Sequence, residues 1–500
     1  MPAQSASLPD TRRWLVLAIA ASGLFLICVD LTVLYVALPA LTRDLAAGNA
    51  AKLWILNAYP IVVVGLLPGL GSLGDRQGHR RLFLAGLATF GVASLAAAYA
   101  PSASLLIIAR ALQGVGAAMM MPATLAIIRA TFTDARERVF AIGLWSGVAA
   151  AGMALGPLIA GLLLEHFWWG SVFLINVPVV LLALLLTFWL VPPRAAPGGA
   201  PWDLVGSLQI LVGLTALVYA IKEFARQGRS LPALLLAVLI SVAFIAAYLR
   251  RQKRREHPLI DLSLFRLPDF TGAFAAACLG TAGMVGVELI LSQYLQLVEQ
   301  RSALQAAVVF LPMAIAGFIA GPLAGRIMHR RPAAFACGAF MLAAASVLIL
   351  ALVPPDALHY SLIRTLLLIG VGLGIGTSVT FASSTIMNAA SSERAGMAAS
   401  IEEVGFELGN SLGVAVFGSV MTAAYAMSLV LPETAGALPA TVHDSLDEAL
   451  LVADSLGPVA GSALRDAGRA AFTEALRAVL IGIALLWLIT GVVIVRRGHR

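Results

Sequence analysis

Apolar residues run along this chain in long blocks, and the charged residues gather in the short gaps between them. Blocks near or above about 20 residues match the hydrocarbon thickness of a bilayer when helical. The pattern predicts fourteen membrane-spanning helices. The first eight lie at about 14–37, 53–72, 82–100, 104–127, 140–164, 170–191, 203–221 and 231–249. The other six lie at about 270–297, 304–326, 333–353, 361–386, 396–426 and 472–495. Residues 427–471 form the longest predicted loop, and within it HDSLDEALLVADSLG (443–457) has the period of an amphipathic helix. Two readings stay open for this segment: a lid over the bundle, or a soluble excursion.

Composition strengthens the membrane reading. Hydrophobic residues make up 60% of the chain and charged residues 12%, with a mean hydropathy of +0.93. A soluble domain carries about 25% charged residues. The expected class is an all-α polytopic membrane protein. The first block follows Arg12, Arg13 and Trp14 and carries Asp30 towards its far end. It is too long for the apolar core of a cleaved signal and reads as a retained helix. Cys28, Cys278 and Cys337 fall inside apolar blocks without ligand spacing, so neither a metal site nor a disulfide is expected.

The formal net charge of +7 does not point to nucleic acid, because the basic residues hug the block ends. With the N-terminus inside, about two thirds of the lysines and arginines fall on that side, among them Arg76, Arg80, Arg81, Arg250, Arg251, Lys253, Arg254, Arg255 and Arg496. This bias predicts a multi-pass protein of the cell membrane with both termini cytoplasmic and an even number of crossings.

The chain also repeats itself. GSLGDRQGHRR (71–81) and GPLAGRIMHRR (321–331) agree without a gap at the Gly, the Leu, the Arg and the closing His-Arg-Arg. A weaker echo pairs Arg110-x3-Gly114-x-Gly116 with Arg364-x5-Gly370-x-Gly372. Together they predict an N-terminal six-helix half (1–191) and two inserted helices (192–249). A cytoplasmic basic linker (250–269) and a C-terminal six-helix half (270–500) follow. Paired repeats around a midplane site describe secondary transporters. GVGLGIG (370–376) has the look of a dinucleotide loop but lies inside an apolar block with no strand before it. Close helix packing through small residues is the better reading.

These motifs carry a family resemblance. GSLGDRQGHRR resembles the loop 2–3 signature of the major facilitator superfamily, and Arg110 with Gln113, Gly114 and Gly116 resembles its helix-4 signature. GMALGPLIAG (152–161) resembles the helix-5 signature of antiporters in that family. VDLTVLYVALP (29–39), FLINVP (173–178) and ASIEEVGFELGN (399–410) resemble the fourteen-helix drug/proton antiporter branch, nearest to exporters of quaternary ammonium compounds and methyl viologen. The resemblance implies a major facilitator fold and a proton-coupled multidrug antiporter, not an enzyme. Its expected cargo is lipophilic cations: quaternary ammonium compounds, biguanide antiseptics, viologens and dyes. It implies no cofactor beyond the proton gradient and a working monomer in the lipid bilayer. An exporter of another solute, such as an antibiotic or an amino acid, and a non-transporting membrane sensor are the alternatives. The resemblance further assigns Gly71, Asp75, Arg76, Gly78 and Arg80 to an inner-side latch, with Asp75 opposing the N-terminal end of the thirteenth helix. It assigns Gly152, Gly156, Pro157 and Gly161 to gating.

Five acids lie within predicted spans: Asp30, Glu288, Glu402, Glu403 and Glu407. A carboxylate at bilayer depth costs roughly 2.5–3.5 kcal/mol even on mild insertion scales and faces a cavity or a partner. Glu403 and Glu407 are four residues apart and share a helix face that Asn410 continues, while Glu402 points about 100° away. Glu402 and Glu403 mark either a hydrated helix entrance or a buried site. Glu407 lies about three turns in and is the foremost coupling candidate. Asp30 is a second coupling acid, a buried partner of Arg110, or both. Glu288 faces the cavity or sits on a helix that bends outward into water, since Gln293, Tyr294 and Gln296 follow it.

Burial penalises the ionised form of such an acid, so it is tolerable with a proton attached. A lipophilic cation can take the proton's place, and that competition is the minimal device for antiport. Cations also favour aromatic faces. Tyr35, Tyr59, Trp145, Tyr294, Phe381 and Phe406 are therefore cavity candidates, with Met119, Met120 and Met121 as adaptable walls.

Overall fold

The computed structural model describes residues 10–132, 134–192, 203–225, 230–255, 258, 263–327, 332–354, 360–389, 395–432 and 438–498. Among these the regular structure is helical throughout. In hydrocarbon every backbone polar group needs an internal partner, and a helix supplies one within its own segment. The helices are α1 (Asp10–Asp44), α2 (Asn49–Gln77), α3 (His79–Ala98), α4 (Ala103–Thr131), α5 (Ala135–His166), α6 (Ser171–Leu174), α7 (Asn176–Leu190), α8 (Leu204–Ala225) and α9 (Leu231–Arg254). After them come α10 (Pro268–Gln293), α11 (Ala303–Ile327), α12 (Pro332–Leu352), α13 (Tyr360–Ala389), α14 (Ala395–Ser428), α15 (Leu446–Ser455) and α16 (Pro458–Gly498).

Thirteen helical stretches among the described residues are long and apolar enough to cross a membrane. One of them is α6 and α7 taken together as Ser171–Leu190. The remaining long helix, α5, has 32 residues, about 48 Å of rise, with its apolar stretch at Ala151–His166. A count of fourteen crossings therefore rests on α5.

Local chemistry sets several boundaries. Gly78, at φ 97°, breaks α2 from α3 in a conformation that disfavours side chains. Ser102, Ser230 and Ser445 cap α4, α9 and α15 by accepting from Leu105, Ala233 and Glu448 backbone N–H groups. The amphipathic segment is α15, whose Leu446, Ala449 and Ala453 are buried. The long loop is shorter than expected, because α16 begins at Pro458. Hydropathy stops at Arg465, Asp466 and Arg469, yet Leu464 and Ala471 are buried and extend the helix beyond the apolar span. Similarly, α9 continues through Arg254, so the basic run begins on a helix.

One set of helices packs as α1 on α4, α5 and α7, α2 on α4, and α3 on α4 and α7. Another packs as α10 on α13, α14 and α16, α11 on α13, and α12 on α13 and α16. Small residues make these approaches possible. Gly372 and Gly376 face α11 at Met313 and Gly317, while Gly370 and Gly374 face α12 at Ser346 and Ala339. On α14 the stripe Gly405, Gly409 and Gly413 lies against Phe274, Cys278 and Ala282 of α10. The hairpin of α8 and α9 docks through α8 on α2 and α14. Lys222 secures it by donating to the Ala50 carbonyl at 2.8 Å and lying 4.5 Å from the Trp54 ring centroid.

The two sets meet through α1 with α10, α2 with α14, and α5 with α11. Ser292 donates to the Tyr35 carbonyl at 3.4 Å, Gln296 to the Val36 carbonyl at 3.2 Å, and Ser411 to Asn57 at 3.3 Å. Ser302 donates to Glu165 at 2.9 Å, and Leu304 lies against Gly161. All these contacts lie in the half of the bundle nearer Asp44 and α15, here the loop face; the face where α1 begins is the terminal face. Over the loop face α15 packs on α16 and brings Asp447 into an ion pair with Lys52 of α2. Lys52 is 4% exposed, so this pair is a seal and not a surface contact.

The α10–α14 seam gives the fold its first test. A side chain at Gly413 would place its Cβ 2.8 Å from the Ala282 Cα. Overpacking of this kind costs about 1–3 kcal/mol. Gly413→Leu is expected to lower the melting temperature of the purified protein in detergent, while Gly338→Leu, which meets nothing within 4 Å, is expected to leave it within error of wild type. Equal behaviour of the two variants would contradict the seam.

Candidate transport site

Two groups of polar side chains are buried within the bundle, and they differ in whether the protein satisfies them. The first is built on Asp30 of α1, which is 0% exposed. One of its carboxylate oxygens accepts from Arg110 of α4. The other accepts from Gln113 Nε2 and from Asn176 Nδ2 of α7, both at 3.0 Å. Ser94 of α3 accepts from the same two amides, at 2.9 Å and 3.3 Å. Gln113 sits three residues after Arg110, on the same helix face, and accepts from it at 2.9 Å. The guanidinium carbon lies 4.8 Å from the Tyr59 ring centroid and 5.7 Å from that of Phe173. The structure thus realises the partner role for Asp30, and the network holds four helices together.

The second group comes from α10 and α14. Glu407 is 2% exposed. It bonds Asn410 one turn on, and its Oε2 has no hydrogen-bond partner among the described residues. Glu403 and Glu288 are half-buried. Glu403 and Glu407 share one face of α14, and Glu288 lies on α10, which packs against α14 and meets α1 across the interface between the helix sets. Glu402 turns away, as its 100° offset requires, and accepts from Ser383 of α13. Among the described residues no lysine or arginine pairs with Glu288, Glu402, Glu403 or Glu407. Tyr59 joins the two groups: its ring lies under Arg110, its hydroxyl is buried without a bond among the described residues, and Glu407 acts on it.

Several expectations change here. Gln293 and Tyr294 are buried, and Gln296 reaches the α1 backbone through a π turn at Tyr294–Val298, so α10 does not bend into water after Glu288. Tyr35, Tyr59, Tyr294 and Phe381 are buried in this arrangement and do not present open cavity faces. Phe406 is half-buried and packs against the larger core. Trp145 is half-buried beside Leu17 and Phe132, towards the terminal face. Met119 and Met120 face Gly86 of α3, and Met121 is buried, so these residues are core and not cavity wall.

The motif residues take structural positions. Arg80 donates to the Phe188 carbonyl at 2.6 Å and lies 5.5 Å from that ring, tying the start of α3 to the end of α7. Gly71 lies against Pro122 of α4. The side chains of Asp75 and Arg76 fall outside the described residues, as does any contact of Asp75 with the start of α14. Gly152 faces Phe25 and Cys28, Gly156 faces Val29 and Thr32, and Gly161 meets Leu304 of α11. With Pro157 inside the helix, this motif forms the seam of α5 along α1 and onto α11.

Sequence reasoning missed Ser94, Asn176 and Ser383, and it missed Glu299. The signal that could have found Asn176 is an amide inside an apolar run; nothing marked the two serines. Glu299 receives Arg364 and Arg301, both at 2.6 Å. Arg364, the echo of Arg110, is 2% exposed. Among the described residues no three His, Cys, Asp or Glu side chains gather as metal ligands.

Comparison with known proteins places this geometry. Residues 20–414 match the model of the Major Facilitator Superfamily. The methyl viologen resistance protein SmvA of Salmonella typhimurium is 38% identical over 463 residues, covering 92% of this chain and 93% of that protein. The multidrug efflux pump LfrA of Mycolicibacterium smegmatis is 37% identical, covering 97% and 96%. The puromycin resistance protein pur8 of Streptomyces alboniger is 35% identical, covering 89% of each. A crystal structure of a bacterial homolog of the human lysosomal transporter Spinster, inward-facing and occupied, aligns with a TM-score of 0.69 over 98% of both chains at 16% identity, a likeness of fold.

The satisfied group makes its own prediction. Removing one partner of a buried ion pair costs about 3–5 kcal/mol because the other charge is stranded. Arg110→Ala should therefore depress the melting temperature more than the double variant Asp30→Asn/Arg110→Gln, which strands no charge. A double variant as unstable as the single one would show that packing, and not charge, accounts for the loss.

Proposed function

Because this chain belongs to the Major Facilitator Superfamily, a family of membrane transporters and not of enzymes, we propose that it exports lipophilic cations in exchange for protons. The observation that carries the proposal is the group of acids at Glu288, Glu403 and Glu407, buried or half-buried and without a cationic side chain among the described residues. An ionised carboxylate left alone at that depth is too costly to persist. Each such acid needs a proton or a bound cation, and the two compete for the same oxygens. Methyl viologen, in the name of one relative, is a dication of the kind such a site accepts; the broader efflux names of the others agree with a cavity of mixed shape.

In the proposed cycle Glu407 is the exchanging group. Its Oε2 is the unbonded atom, and Asn410 steadies the other side of the carboxyl. A cation entering between α1 and α14 displaces the proton from Glu407, with Glu403 and Glu288 offering further negative charge at the rim. Protons arriving from the opposite side neutralise the acids again and release the cation. Asp30 acts in this scheme through Arg110 and Tyr59: a change of charge at Glu407 is felt by Tyr59, on whose face Arg110 rests. Quaternary ammonium compounds, biguanides, viologens and dyes form the proposed substrate class. The proposed setting is the cell membrane with both termini in the cytoplasm, which makes the loop face the outer one. An exporter of antibiotics is the second reading, favoured by the puromycin resistance relative.

Purified protein in detergent should release protons when a quaternary ammonium dye is added, and Glu407→Gln should abolish that release. Efflux of the dye from cells should fall at least about tenfold in the variant, equivalent to the roughly 1.4 kcal/mol that one decade represents. Release and efflux at wild-type levels, with wild-type pH dependence, would overturn the assignment of Glu407. Retained efflux of a neutral antibiotic alone would favour the second reading.

A further inference from the structure

The inserted hairpin carries chemistry that the transport site does not use. In the bundle, α9 is the least covered of the thirteen candidate spans, with 17% of its apolar window buried. Its buried stripe is Ala237, Ser241, Tyr248 and Gln252. On the other side Leu235, Leu239 and Val242 are 60%, 65% and 61% exposed. Steps of three and four residues continue that exposed face through Ala246 to Arg250 and Arg254, both exposed. An apolar track thus runs straight into an arginine pair one turn apart.

The arginines around the end of α9 divide into two kinds. Asp203, just before α8, has a side chain that is 0% exposed and binds Arg251 Nε through both oxygens, at 2.8 Å and 3.0 Å. It also pairs with Arg255 at 2.8 Å and accepts from the Gly206 N–H at 3.0 Å. Burial opposes its charge, yet the Gly206 N–H and the two guanidinium groups hold its carboxyl below the usual value. This clasp fixes the base of the hairpin. Arg250 and Arg254 stand outside it, and no described carboxylate bonds them. Ala247, Arg250, Arg251, Arg254 and Arg255 line an open cleft of about 330 Å³.

We infer that this cleft binds the phosphate of an anionic phospholipid, whose acyl chain lies along Leu239 and Val242. The dimensions agree: Leu239 to Arg250 is eleven residues, about 16 Å of helix, which is the reach of one acyl chain across a leaflet about 15 Å deep. The arginine fork matches phosphate oxygens in charge and in geometry. A phosphatidylcholine headgroup carries its own positive charge beside the phosphate and so gains less from Arg250 and Arg254 than an anionic headgroup does. The consequence is a lipid wedge beside α8, the helix through which the hairpin touches α14.

The test uses the full-length protein purified in a neutral detergent and titrated with phosphatidylglycerol, phosphatidylcholine or inorganic phosphate, with retention read by native mass spectrometry. Phosphatidylglycerol should be retained at least about tenfold more tightly than phosphatidylcholine, as expected for two near-surface arginines. Arg250→Ala/Arg254→Ala should erase that preference, and the milder Arg250→Gln/Arg254→Gln pair should do the same if the alanine pair fails to fold. Arg496→Ala, an exposed charge on the same face of the bundle, should keep the preference. Equal retention of the two lipids, survival of the preference in both arginine pairs, or an equal loss in Arg496→Ala would overturn the site. Full displacement of the lipid by millimolar phosphate would also overturn it, since the apolar track would then contribute nothing.

Discussion

A charge in hydrocarbon must be compensated, and this chain compensates its buried acids in two different ways. For Asp30 the protein supplies the counter-charge: Arg110 pairs with it, and Gln113, Asn176 and Ser94 complete the hydrogen bonds. For Glu407 and its neighbours the protein supplies amides and hydroxyls only, through Asn410 and Ser383. The bonds around Asp30 tie four helices together, although Arg110 Nε and Asn176 Oδ1 find no hydrogen-bond partner among the described residues. An acid whose counter-charge has to come from outside stays responsive to what arrives. In the proposed exchange this contrast gives α1 with α4 the scaffold work and α14 the exchanging acid, although the two acids look alike in the sequence.

The arginine echo extends this contrast to the second half of the chain. Arg110 and Arg364 are both nearly inaccessible, and each pairs with an acid contributed by the first helix of its half or the turn just after it. Asp30 sits within α1, whereas Glu299 sits beyond the π turn that ends α10. That displacement moves the second pair to the loop face, where Arg301 also joins it. Glu288, eleven residues earlier on α10, pairs with no arginine or lysine among the described residues, so the second arginine pair does not compensate the acids at the interface.

The spans and the glycine seams were legible because lipid and close packing leave few solutions. A twenty-residue apolar run has to be helical, and Gly405, Gly409 and Gly413 on one stripe have to meet a neighbour. The separation of Glu402 from Glu403 and Glu407 was legible from helical geometry alone. Of the partners of Asp30 only Arg110 was foreseen, because Ser94 and Asn176 come from two further helices and only the folded bundle brings them together. The burial of the aromatic candidates was not legible for a related reason: Tyr35 and Tyr294 lie in the half of the bundle where the two helix sets meet, and that packing covers them. The extension of α16 was hidden because a hydropathy window reads Arg465 and Arg469 as loop, whereas a helix tolerates both on its wet side.

The closure of the loop face has a size that matters for exchange. Across the interface it comprises the hydrogen bonds from Ser292, Gln296, Ser411 and Ser302 and the Lys52–Asp447 pair, together with apolar contacts at Gly161 and Gly418. The three neutral hydrogen bonds are worth about 0.5–1.5 kcal/mol net each and so contribute a few kcal/mol, to which the Ser302 bond to the Glu165 carboxylate and the buried Lys52–Asp447 pair add. A ligand inverts a two-state equilibrium only when its differential binding is of that order, about 5.5 kcal/mol for a full swing. One unit of pH difference supplies about 1.4 kcal/mol per proton. In the proposed exchange, protons and one desolvated cation together have to deliver a differential of that order. A seal as large as the packed seams inside either helix set would leave the bundle locked.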